Sequence, residues 1–151
     1  MTTAAAEPQA KPAAPRAFER MRGLIGNWVA ALPNGKPYRV SFRLIAGDSA
    51  LVETYTTASG KETMTIFTLD GDRLLATHYC AQGNQPRLAL RGEGDGPLAF
   101  DFVDVTSLRD PASSHLRHLE LAVSRDELIE TEVYRSAGKD EAERFVFKRA
   151  P

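Results

Sequence analysis

His78, Tyr79 and Cys80 put an imidazole, a phenol and a thiol side by side in one stretch of the chain. Alternate side chains of a strand share a face, so His78 and Cys80 project together and Tyr79 points away from them. If Gly83-Asn84 forms a two-residue hairpin loop, Cys80 pairs with Arg87, His78 with Ala89 and Ala76 with Arg91, all on one face. The Asp70-Gly71 turn, read the same way, sets His78 opposite Thr63 on the face that carries Phe67 and Leu74. Thr63, His78, Cys80, Arg87 and Arg91 are then the candidate ligand-binding residues. Such a mixture of polar and apolar groups suits an apolar molecule with an anionic head. The parity is delicate: one three-residue loop turns both arginines to solvent. Strand nine is open in the same way, with Ile129 and Val133 opposing Glu130 and Glu132. If those two acids point inward, they can neutralise inward arginines internally.

Other chemistries find less support. His115-x-x-His118 has the spacing of one helical face, but the segment leaves a Pro-Ala-Ser-Ser loop and enters a strand, where residues three apart face opposite ways. No metal site is expected, and no catalytic residue is assigned. Ser113 and Ser114 lie near His115 without the glycine-flanked elbow that exposes a nucleophilic serine. Cys80 beside His78 offers a thiolate in principle, although a buried free cysteine usually acts as a small hydrophobe. Gly92, Gly94 and Gly96 fall between strands and are not followed by a helix, so they do not form a phosphate cradle.

The elements that would position these groups are marked by turns. Asn34-Gly35, Gly47-Asp48, Ser59-Gly60, Asp70-Gly71, Gly83-Asn84, Gly94 to Gly96, Asp110-Pro111, Ser124 to Asp126 and Gly138 to Asp140 recur at about one strand plus one turn. Between them run segments such as YRVSFRLI, ETMTIFTL and LAFDFVDV, ten strands in all. Short links make sequential neighbours antiparallel, and a meander of this length closes to remove its edges. The expected fold is all-β, an up-and-down barrel of about ten strands. Residues 1–15, rich in Ala and Pro, read as a flexible tail, and 16–151 as the single barrel domain. Phe18, Met21, Leu24 and Ile25 lie on one face of a short helix that closes one end, limited by Gly23 and Gly26.

Two motifs at opposite ends of the chain resemble the calycins, the superfamily of lipocalins and fatty-acid-binding proteins. Gly26-Asn27-Trp28 is similar to the G-x-W that opens the first strand of these barrels, and Phe145-Val146-Phe147-Lys148-Arg149 to the terminal strand ending in arginine. The resemblance covers the chain from Phe18 onward. It implies that Gly26, Trp28 and Arg149 form a structural signature in which the arginine packs across the indole, a contact of about 1 kcal/mol. THYC, GNQPR and the Phe-x-Phe-x-Arg ending further resemble small bacterial lipocalin-like proteins with no assigned activity. Haem-binding barrels that resemble calycins, the nitrobindins, hold iron through a late histidine. The segment from Asp126 to Arg149 contains no histidine, so that ligand does not carry over, and no cofactor is expected.

The bulk numbers fit this picture. At 151 residues the chain is one domain's length, and folding removes roughly two thirds of its surface from water. With 19 basic and 20 acidic residues it has no basic stripe for nucleic acid. One cysteine excludes an intrachain disulfide. No apolar run approaches the ~18 residues of a membrane span. The first fifteen residues lack a signal-peptide pattern, which favours a cytoplasmic protein, or a periplasmic one whose signal has been removed. The expected function is non-enzymatic binding of a small apolar or amphipathic molecule inside the barrel. The alternatives are a small enzyme using His78 as general acid or base, and a filled barrel that serves as a structural or partner-binding module.

Overall fold

A computed structural model describes residues 12–93 and 95–151. Most of the stretch read as a tail lies outside the described residues. Where description begins, helix α1 (Ala13–Met21) already spans Pro15, three residues earlier than the sequence suggests. Pro15 is tolerated because it sits in the first turn, where its missing N–H has no intrahelical partner to lose. One turn of 3₁₀ helix follows (Arg22–Leu24). Ala14, Ala17, Phe18, Met21 and Leu24 are buried on the barrel side. Ile25, expected on that face, is 42% exposed, because the chain leaves helical geometry at this residue and extends toward β1.

Ten strands follow: β1 (Gly26–Ala31), β2 (Pro37–Ile45), β3 (Ala50–Thr56), β4 (Glu62–Asp70), β5 (Arg73–Tyr79), β6 (Gln85–Leu90), β7 (Leu98–Thr106), β8 (His115–Val123), β9 (Glu127–Ser136) and β10 (Lys139–Ala150). Each pairs antiparallel with its chain neighbours, and β1 pairs with β10 to close the barrel. Closure joins the two end strands, which would otherwise both be sheet edges, through Asn27–Val29 and Lys148–Ala150. Two irregularities bend the wall, one on the β6–β7 ladder at Arg87/Leu88 and one on the β8–β9 ladder between Leu116 and His118.

The end covered by α1 is packed with side chains. Trp28, Phe42, Phe67, Leu74, Phe100, Leu121, Leu128 and Phe147 are each at most 2% exposed. Phe67 and Phe100 meet with centroids 5.5 Å apart and tilted planes, an arrangement aromatic rings favour. Strand β9 settles its open parity here. Phe145 and Phe147 pair with Glu130 and Leu128, so the face holding two phenylalanines, Leu128 and Tyr134 turns inward. Glu130 and Glu132 are carried inward with them, while Ile129 and Val133 stay on the outer, part-exposed face. More apolar surface is buried this way than by Ile129, Val133 and Val146, and the difference outweighs placing two carboxyls inside.

Candidate functional site

The end of the barrel opposite α1 is its mouth. Three of its hairpins share one design: Leu32–Lys36, Thr57–Lys61 and Cys80–Asn84 each close a three-residue loop by two backbone hydrogen bonds. The third loop residue is Gly35, Gly60 or Gly83, with φ of +75°, +79° and +82°. This is the type I turn followed by a left-handed residue, a geometry that glycine adopts without strain. The third of these loops decides the register of β6.

Because Ala81-Gln82-Gly83 forms the loop, Cys80 faces Asn84, Thr77 pairs with Arg87 and Ala76 with Leu88. The expected pairing of Cys80 with Arg87 and His78 with Ala89 is therefore corrected by three positions, an odd shift that reverses the face of β6. Arg87 and Arg91 lie outside the barrel. Arg87 makes a two-pronged ion pair with Asp104 across the β6–β7 ladder, and Arg91 reaches Asp101 at 3.4 Å. The β4–β5 loop is Gly71-Asp72, which pairs His78 with Thr65 rather than Thr63. That shift is even, so His78 keeps its inward face.

Thr63, His78 and Cys80 line a cavity of about 310 Å³ at the mouth. Tyr38, Tyr134, Glu132, Glu141 and Glu143 complete most of its wall, and among the described residues no lysine or arginine lines it. Phe67 and Leu74, expected beside a ligand tail, belong to the packed core below.

The chemistry beneath this cavity was only partly visible in the sequence. Glu53, Glu130 and Glu132 are all buried, at 0%, 0% and 5% exposure. The Tyr55 hydroxyl donates to Glu130 Oε1. Both oxygens of Glu53 and the second oxygen of Glu130 are left without a hydrogen bond of good geometry, although Tyr55, Thr65 and Glu130 lie close to Glu53. Loss of hydration pushes the Glu53 carboxyl up to about 8, with Glu132 adding to the shift. The same desolvation, reinforced by the neighbouring acids, holds Glu130 and Glu132 well above the usual carboxylate range. Among the described residues none of the three forms an ion pair. Glu53 could have been anticipated from Leu51-x-Glu53-x-Tyr55, which puts the acid on the face of two large core side chains.

His78 is 2% exposed, and its ring is held at both nitrogens. Nδ1 lies 2.9 Å from Thr65 Oγ1 and Nε2 lies 3.4 Å from the Tyr134 hydroxyl. Burial pushes its pKa down to about 4, so the ring is neutral at physiological pH. Burial likewise raises the Cys80 thiol, which keeps it protonated and poorly nucleophilic. His115 and His118 take separate partners, the Ser113 carbonyl and the Asp101 carboxylate, each at 2.8 Å.

At the opposite end, Trp28 and Arg149 are directly paired across β1 and β10. The guanidinium carbon stands 4.3 Å from the indole ring. Its nitrogens donate to the carbonyls of Gly23, Ile25 and Arg125, and the indole Nε1 donates to Leu24 at 2.7 Å. One side chain thus ties both chain ends and the β8–β9 turn together beside α1.

These features define a closed ten-stranded antiparallel barrel with a helix over its packed end and an acid-lined cavity at the other. No protein-family model matches the chain, and no curated protein matches it. Among solved structures it is similar to the crystal structure of Rv2717c from M. tuberculosis, with a TM-score of 0.54 and 18% sequence identity. The match covers 89% of this chain and 98% of that one, so the likeness is of the whole barrel, and at this identity it speaks to fold.

Proposed function

We propose that this protein is a calycin-type binding barrel that takes up a small amphipathic molecule at its mouth without transforming it. The observation that carries the reading is the cavity of about 310 Å³, walled by hydroxyl, imidazole and carboxyl groups above a filled interior. It has room for about ten waters at ~30 Å³ each, which corresponds to a compact ligand rather than a long acyl chain. Concave sites with a few convergent polar groups are the usual form of small-molecule sites. The closing contact of Trp28 and Arg149 supports kinship with the calycins.

Acid–base catalysis by His78 fits less well. An imidazole at about 4 is a weak base and is almost wholly unprotonated near neutrality. Glu53, at about 8, lies in the catalytic range but is fully buried and does not reach the cavity wall. The proposal is tested through Cys80, the single cysteine, which lies on the cavity wall. Alkylation by iodoacetamide is followed by mass spectrometry in the presence of 2-phenylethylamine, 2-phenylethanol or 3-phenylpropanoate. At least one of these probes should slow the reaction in a saturable manner without changing the labelling of the heat-unfolded chain. Unchanged rates with all three would refute a binding site at the mouth.

A further inference from the structure

We propose that the mouth cavity is selective for small organic cations, a primary ammonium on an apolar body. This rests on the binding reading above and names its ligand class. The cavity wall carries three carboxyl side chains, Glu132, Glu141 and Glu143, with no lysine or arginine among the described residues. Two tyrosine rings, Tyr38 and Tyr134, stand among them, and aromatic faces attract cations. Independently of those acids, Glu53 is wholly buried on the same inner face with neither oxygen hydrogen-bonded, and one oxygen of Glu130 is equally unpaired. A cation at Glu132 lowers the electrostatic cost of ionising the acids behind it.

The groups facing Glu132 from each neighbouring element fix the electrostatic consequence. They are Glu130 and Tyr134 on β9, Glu143 across on β10, Tyr55 and Glu53 on β3, Tyr38 on β2, His78 on β5 and Cys80 just after it. On β8 the register partner of Glu132 is the apolar Leu119. His78 is neutral, so none of these groups supplies a positive charge near pH 7. Desolvation therefore favours the protonated form of Glu132 in the free protein. An arriving ammonium favours the carboxylate, and the proton leaves to solvent. Binding then releases protons and strengthens as pH rises.

Titration calorimetry on the full chain, in two buffers of different ionisation enthalpy, tests this with the same three probes. The 2-phenylethylamine cation should bind at least tenfold tighter than 2-phenylethanol at pH 8 and release up to one proton per site at pH 7. 3-Phenylpropanoate should bind more weakly than the alcohol. Glu132→Gln should lower amine affinity at least tenfold while leaving the alcohol within twofold. Should that variant fail to fold, Glu143→Gln, at an exposed mouth position, should lower amine affinity about threefold. Alcohol binding as tight as amine binding would overturn cation selectivity while leaving the binding site standing, and amine binding without proton release would overturn the coupling to Glu132 protonation. Loss of binding by all three probes would remove both proposals.

Discussion

The side chains that distinguish this barrel are three inward carboxyls and one inward imidazole, and their protonation makes stability depend on pH. Glu53 is raised from 4.5 to about 8 in the folded chain, so over that window the native state holds a proton that the unfolded chain has lost. Its contribution to stability is complete below about 4.5 and disappears as pH climbs through 8. Glu130 and Glu132 shift in the same direction. His78 opposes them between about 4 and 6.5, where the unfolded chain binds the extra proton and stability rises with pH. Above 6.5 that opposition ends. The melting temperature should therefore fall between pH 6.5 and 8.5, and Glu53→Gln should flatten the decline, as read by scanning calorimetry in matched buffers. A wild-type profile flat across this range would mean that the carboxyls ionise freely.

At the scale of elements, one loop decides which residues of β6 see the interior. Gly83 holds φ +82° in the three-residue loop, and a Cβ added there would meet nothing within 4 Å. The cost of Gly83→Ala is thus the backbone conformation alone, about 1–2 kcal/mol. Gly83→Asn should cost less, because asparagine tolerates the left-handed region. Urea denaturation should rank the three proteins in that order. Equal stability of the alanine variant and wild type would mean that the loop has adopted another turn and that the β6 register has moved. The same loop puts Cys80 on the cavity wall, so iodoacetamide labelling of Gly83→Ala should change in rate if the register slips.

For the whole molecule, closure joins the first strand to the last, and Arg149 concentrates that joint in one contact. Trp28 is 1% exposed, and Trp28→Ala should cost about 3–5 kcal/mol. A double-mutant cycle with Arg149→Ala should return a coupling of about 1 kcal/mol, measured by chemical denaturation. Strict additivity of the two substitutions would show that the cation and the indole do not interact. The alternation of charge across the wall is also a property of the entire barrel. Arg87 and Arg91 pair with acids on the outer surface, while Glu53 and Glu130 lie inside with unpaired oxygens. An anionic head group, which the sequence favoured, has lost both of its cations.

The sequence by itself determined the number of strands, their order and their antiparallel closure, because turn residues and alternating segments are local signals repeated at every hairpin. It also marked Trp28 and Arg149, through the resemblance of Gly26-Asn27-Trp28 and the terminal Phe-x-Phe-x-Arg to the calycins. His78, Cys80 and Thr63 reached the cavity because their parity survived: the β4–β5 loop differed from expectation by an even shift. Arg87 and Arg91 did not, because the β5–β6 loop differed by an odd one. Side-chain direction on a strand has period two, so a loop boundary misplaced by one residue inverts a strand without leaving any trace in its composition. For β9 the choice lay between two faces of similar apolar content, and Phe145 and Phe147 on the neighbouring strand decided it. That decision belongs to the packed interior, where burying the larger aromatic surface brought Glu130 and Glu132 beside Glu53 and created the acidic site.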